Sequence, residues 1–217
     1  MQSPDRLSRR KISPYPLPGG DQLARNKVHW PLRLDECVLV IHDMQNFWLS
    51  LFDNAGPVVA NVEALRHAAK ALAIPVIYTK AVRPRTLAER ALGLDMWGPG
   101  LGATHVTEAD CAICEALTPA PDDYVIDKPR YSGFFRTELE DVLSLINRNH
   151  VILTGVFAHH GVLLTAADAY MRNYKVSMVV DATADYSLAD HEKALEYVAE
   201  VCGALTTTAA VRSAFEA

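Results

Sequence analysis

Residues 37–43 read C-V-L-V-I-H-D: five apolar residues, Cys37 to Ile41, run straight into His42 and the carboxylate of Asp43. Alternation of apolar and polar residues marks a strand with one wet face. An unbroken apolar run of this length marks one buried on both faces, as in a parallel sheet covered by helices. The carboxylate at its downstream end therefore stands at the carboxyl rim of the sheet, where ligands bind in open α/β folds.

Working outward, strand-like and helix-like segments alternate. Pro57 opens a helix with Val58, Val62, Leu65, Ala69 and Leu72 at helical spacing, and Pro75–Thr79 is a short strand. Residues 83–122 are less regular; they hold W-G-P-G at 97–100, a helix expected over 107–117 and the turn P-A-P-D-D, enough chain to cover a site. Tyr124–Asp127 is a third strand, and Thr137 to Glu140 reads as a capping box opening a helix that carries Leu139, Val142, Leu143 and Ile146. A fourth strand at His150–Thr154, a helix from Val162 to Asn173, a fifth strand at Val176–Val180, a helix capped by Ser187 with Asp190, and a last strand near Ala204–Thr207 follow. This order predicts a three-layer, doubly wound α/β fold with a parallel sheet. Residues 1–34, rich in proline and basic residues, are expected to form an arm over the surface of one domain spanning 35–217.

The bulk numbers remove several function classes. The chain has 217 residues, 50% hydrophobic and 22% charged, which suits a single core. A formal net charge of −5 provides no general basic surface, so nucleic acid is not an expected partner. Cys37, Cys111, Cys114 and Cys202 are not spaced as a disulfide framework. The first residues are charged, and no apolar run approaches the roughly 18 residues of a membrane span, so a cytoplasmic protein with no membrane partner is expected.

At the carboxyl rim the chain presents Asp43 after the first strand, Lys128 after the third, and G-V-F-A-H-H-G (155–161) after the fourth. Lys128 near Asp43 favours the carboxylate, while burial among Phe47, Trp48 and Phe134 opposes it. A carboxyl under both influences can be set for proton transfer. The bland alternatives are a rim acid capping a turn and a surface lysine; their joint placement at one edge favours an acid–base site. His159 and His160 lack a metal-ligand pattern, and C-A-I-C (111–114) lacks a second pair, so no metal is expected. Gly98 and Gly100 lack the context of a dinucleotide loop, and no cofactor is expected.

V-L-V-I-H-D-M-Q-N-F (38–47), W-G-P-G (97–100), K-P-R-Y-S-G-F-F (128–135), G-V-F-A-H-H-G-V-L-L-T-A-A-D-A-Y (155–170) and D-A-T-A-D-Y-S (181–187) together resemble the isochorismatases. The resemblance implies a six-stranded sheet in the order 3-2-1-4-5-6 with the site between the first and fourth strands. The wider superfamily consists mainly of cysteine hydrolases with an Asp, a Lys and a nucleophilic Cys at the three strand ends; here Gly161 matches that cysteine. The cysteine-free subgroup hydrolyses the vinyl ether of isochorismate or 2-amino-2-deoxyisochorismate to pyruvate and a dihydro-diol or dihydro-hydroxyanthranilate.

By that resemblance Asp43 is the acid that protonates carbon, Lys128 holds the substrate carboxylate and tunes Asp43, and Gly161 leaves space where a nucleophile would sit. Backbone N–H groups near His160 and Gly161 could bind an anionic oxygen, and a cis peptide is expected at Val156–Phe157. Phe47, Trp97, Tyr131 and Phe157 would wall the pocket, with Arg90 meeting a carboxylate. The chain departs from the family pattern at Ala81, where Gln is usual, and at Pro129, where Trp is usual; Lys80 or His160 are the candidates to compensate. A homodimer without a carrier domain, acting on a small anionic substrate in siderophore, phenazine or related metabolism, is the expectation. Its rivals are a cysteine-free hydrolase of another small anion and a degenerate fold kept as a binding or oligomer partner.

Overall fold

Every residue of β1, Cys37–His42, is buried, and the rest of the molecule is built around it. The computed structural model describes residues 11–216. The other strands are β2 (Val76–Ala81), β3 (Tyr124–Lys128), β4 (His150–Val156), β5 (Lys175–Ala184) and β6 (Ala204–Thr206). They form one sheet in the order 3-2-1-4-5-6, with every pairing parallel, as expected. The order reverses between β1 and β4, which leaves a crevice at their carboxyl ends.

The longer helices are α1 (Gly56–Ala71), α2 (Leu139–Leu145), α3 (Leu163–Met171), α4 (Leu188–Tyr197) and α5 (Thr208–Glu216). Alternate residues of β1 face opposite layers, and the helices divide accordingly. Cys37, Leu39 and Ile41 share a core with Val58, Val62, Leu65 and Ala69 of α1 and with Val211 and Phe215 of α5. Val38 and Val40 share the other with Leu139 and Leu143 of α2, Ala166 and Ala169 of α3, and Ala194 and Leu195 of α4. Each such Val or Leu contributes about 1.5–3 kcal/mol by leaving water, which is why β1 carries no polar residue before its last.

Several local expectations are corrected. Thr137 does not form a capping box with Glu140: its hydroxyl donates to the Gly133 carbonyl and accepts from Leu139 N–H, and the helix begins at Leu139. The helix expected over 107–117 is a single turn, Glu108–Cys111, boxed by Thr107 and Asp110. Beyond it Ala112 O accepts from Asn46 N–H and Cys114 N–H donates to Met44 O, so tertiary hydrogen bonds draw the chain out of the helix. The helix expected from Val162 starts at Leu163, after a wide turn of π type over Ala158–Val162. β5 continues to Ala184, four residues beyond its expected end at Val180, and α5 was not expected at all.

Residues 11–34 run along the body of the sheet domain, with a short 3-10 helix at Gly20–Arg25. Ile12 is buried and bridges Phe52, and the Asn26 side chain donates to Leu205 O and accepts from Leu205 N–H. The first ten residues of the expected arm lie outside the described residues. No helix among those described is long and apolar enough to cross a membrane.

Candidate active site

Asp43 leaves β1 with a left-handed backbone, φ 51°, and its N–H donates to Thr79 O at 2.8 Å. That conformation, uncommon for a non-glycine residue but tolerated by Asp, turns the carboxyl out of the strand direction and over the crevice. Lys128, the last residue of β3 rather than the first beyond it, is 3% exposed. Its Nζ donates to Asp43 Oδ2 at 2.6 Å and to Arg130 O at 3.2 Å. An ammonium has three donors, so one remains for a substrate oxygen. Asp43 Oδ1 has no hydrogen-bond partner among the described residues. Burial pushes the Asp43 carboxyl above its ordinary range, and the Lys128 charge opposes that shift without cancelling it. The proton-bearing form a general acid needs is thereby favoured.

Position 161 corrects one expectation. Gly161 is buried in the turn after β4, but the volume beside it is filled by the imidazole of His42. A Cβ on Gly161 would fall far inside van der Waals contact of His42 Nε2, and 2.8 Å from Cδ2. Gly155, at φ 107°, is equally constrained, because a Cβ there would press on the His42 backbone at N and C (2.7 and 2.8 Å) as well as at the carbonyl oxygen. Gly161→Ala is therefore expected to lose about 2–3 kcal/mol of unfolding free energy, read from urea midpoints. A midpoint unmoved by that change would mean the ring gives way freely.

A cavity of about 430 Å³ opens over this pair, within the usual range for small-molecule sites. Its lining includes Asp43, Lys128 and Gly161 together with Arg90, Trp97, Tyr131, Phe157 and His160. The aromatic wall is interlocked: Trp97 Nε1 donates to the Tyr131 hydroxyl at 2.6 Å, Phe157 stacks on Tyr186 at 4.3 Å, and His160 lies 5.1 Å from Trp97 and 5.4 Å from Tyr131 between ring centroids. The peptide Val156–Phe157 is cis, as expected. Arg90 is gripped by the W-G-P-G turn: Nε and Nη2 donate to Gly98 O, and Nη2 also to Gly93 O. Ala81 and Pro129, the two departures from the family pattern, both lie on this wall.

Phe47 does not. It turns inward on the one-turn helix Asn46–Leu49 and packs with Leu101, Ala103 and Val106 behind the wall, edge-on to Trp48 at 4.8 Å. Trp48 takes the lining position instead. Lys80 pairs with Asp127 at 2.6 Å and does not line the cavity, so of the two candidates to compensate only His160 reaches it. Leu92, Met96, Arg130 and Tyr186 are lining residues that the sequence did not place in the pocket. Leu92 and Met96 lie in the irregular insertion, which carries no such signal, while Arg130 and Tyr186 each stand two residues past a strand end, a signal that was there to read.

Two buried networks hold the rim. Gln45 uses its whole amide: Oε1 accepts from Ala81 N–H and Trp48 Nε1, and Nε2 donates to Ala81 O and Cys111 O, so the end of β2 is tied to the insertion. Asp185 accepts from His159 N–H at Oδ2 and lies 2.6 Å from His159 Nδ1 at Oδ1, while its own N–H donates to the Tyr15 hydroxyl. His159 thus orients the turn through its hydrogen bonds to Asp185 and is not among the cavity-lining residues. Among the described residues no three His, Cys, Asp or Glu side chains gather as a metal site.

The isochorismatase-domain family model matches residues 37–210. The chain belongs to the isochorismatase family. Relatives within and around this family include enterobactin synthase component B of Escherichia coli K12, 41% identical over 91% of this chain and 70% of that protein. Phenazine biosynthesis protein PhzD1 of Pseudomonas aeruginosa is 38% identical over 91% of this chain and 95% of that protein. A solved structure described as a cysteine hydrolase from Pseudomonas syringae superposes with a TM-score of 0.79 at 29% identity, covering 87% of this chain and 96% of that one. Against the cysteine-hydrolase scaffold, this isochorismatase-family cavity stands apart in its chemistry: no Cys, Ser or Thr is among its lining residues.

Proposed function

We propose that the protein hydrolyses the enolpyruvyl ether of isochorismate or 2-amino-2-deoxyisochorismate, with Asp43 as general acid. The observation that carries this is the buried Asp43–Lys128 pair, with a 2.6 Å hydrogen bond, facing a cavity with no Cys, Ser or Thr among its described lining residues. Amide hydrolysis through an acyl-enzyme needs such a nucleophile; vinyl ether hydrolysis needs a proton placed on carbon and a water. Family membership and relatives named for isochorismatase, enterobactin and phenazine proteins support the same reading.

The atoms balance as follows. The Asp43 proton goes to the methylene carbon, leaving an oxocarbenium ion and the Asp43 carboxylate beside Lys128. Water adds to the cation and its proton returns to Asp43. The hemiketal then breaks the bond between the former vinyl carbon and the ether oxygen: its hydroxyl loses a proton as the pyruvate carbonyl forms, and the departing oxygen gains one and stays on the ring as the alcohol. Lys128 uses its remaining donor on the enolpyruvyl carboxylate, Arg90 offers a second cation at the wall, and Gly161, having no Cβ, makes room for the His42 ring beside Asp43. The cyclohexadiene ring lies against Trp97, Tyr131, Phe157 and His160.

The test is pyruvate release from each substrate in D₂O. The expected product carries one deuterium in its methyl group, because that hydrogen arrives from a solvent-exchanged acid. Absence of pyruvate from both would defeat the reading. A homodimer in the cytoplasm is part of the same proposal; it is supported by Leu164, Tyr170 and Met171, apolar residues exposed along α3, and light scattering checks it.

A further inference from the structure

We infer that His42 is a positioning residue for the acid: its imidazole, held by Thr79 and packed beside Gly161, keeps Nε2 3.4 Å from Asp43 Oδ2, close enough to close into a hydrogen bond as the carboxylate forms. This rests on the reading of Asp43 as the proton donor. His42 is fully buried at the end of β1, yet Nε2 has no hydrogen-bond partner among the described residues. Nε2 lies 3.4 Å from Asp43 Oδ2, the oxygen that also accepts from Lys128. A buried, unpartnered polar nitrogen is costly to keep, and one this near the reacting carboxyl has a use that offsets the cost.

The tautomer follows from the network. Nδ1 lies 2.8 Å from the Thr79 hydroxyl. No other partner of that hydroxyl is seen among the described residues, so it donates to Nδ1, and the ring proton falls on Nε2. The ring occupies the space that a Cβ at position 161 would need, so glycine there is what lets it sit beside Asp43. Burial first, and the Lys128 charge second, hold the imidazole pKa well below its ordinary value, so His42 stays neutral and donates without competing as an acid. At 3.4 Å the contact with protonated Asp43 is weak. It gains most when Asp43 becomes a carboxylate, which is the condition for lowering a barrier rather than tightening a ground state.

Groups facing the Asp43 cavity from other elements are Lys128 of β3, Arg130 just after it, Arg90 of the insertion and His160 of the turn after β4. All are left in place by the test. The Asp43 carboxyl is titrated by ¹³C NMR in the wild type and in His42→Leu, His42→Gln and Thr79→Val, beside kcat and KM for pyruvate release. Loss of the donor in His42→Leu is expected to raise the Asp43 pKa by on the order of one unit and to lower kcat about tenfold with KM within about twofold. His42→Gln, which restores an N–H donor, is expected to recover most of both. Thr79→Val, which frees the tautomer while keeping the ring, is expected to move the titration the same way by less, and it reads the proposal should His42→Leu not fold. An Asp43 titration unmoved in Thr79→Val and in whichever His42 variants fold, or equal losses in Leu and Gln, would overturn the role of His42. Absence of pyruvate from the wild type would overturn the proposed function alone, since the titration needs no substrate.

Discussion

Asp43→Asn is expected to lower kcat for pyruvate release by about 10³- to 10⁴-fold, the largest effect any single side chain here should have. The amide keeps the shape of the carboxyl, and its oxygen can still accept from Lys128, but it carries no proton acidic enough for carbon. The two groups nearest to it are poor substitutes. Lys128 is committed to Asp43 and Arg130 O, and His42 is held neutral by burial. Circular dichroism on the same sample separates loss of chemistry from loss of fold. Retention of more than about a tenth of wild-type kcat would remove Asp43 from the proton transfer, since a general acid contributes at least about 100-fold.

Lys128→Met is expected to cost about 100-fold in kcat/KM, the scale of one charge-assisted hydrogen bond to the substrate carboxylate. A second consequence has a definite sign. The chemistry uses protonated Asp43, so kcat is full below the folded pKa of that carboxyl and falls as pH rises through it. Burial already raises that pKa, and Lys128 is what restrains the rise. Removing the cation lets it climb further, so the basic limb of the kcat profile moves to higher pH even as the rate falls. Asp43, left buried without a counter-charge, takes up a proton rather than unfolding the rim. A limb at the wild-type position in a folded variant would mean that Lys128 binds substrate without acting on the acid.

The parts legible in the sequence were those with a burial signature. β1 announced itself because both its faces are covered, and Asp43 because it ends that strand; Lys128 followed from the same rim, and Gly161 from the resemblance to the family. His42 was read only as the place where the apolar run stops, although it is the last strand residue and fully buried. The signal was there, a polar ring beside the acid in a strand with no wet face, but its neighbours Thr79 and Gly161 come from β2 and from the turn after β4. Phe47 was misplaced for a related reason: one turn of helix decides whether it or Trp48 faces the cavity. The break at Ala112 arises from hydrogen bonds to residues more than 60 positions away, which no local pattern carries.

The fit of His42 against Gly161 also sets the order in which this scaffold can change its chemistry. A thiol introduced at 161 meets an imidazole already in the space its Cβ requires, so the first step toward covalent catalysis would cost fold stability without supplying a usable nucleophile. Trimming the ring first loosens the setting of Asp43. The two positions are coupled so that neither substitution alone is tolerated as well as the pair. A lineage crossing between the two mechanisms has to change both or pass through a weak intermediate.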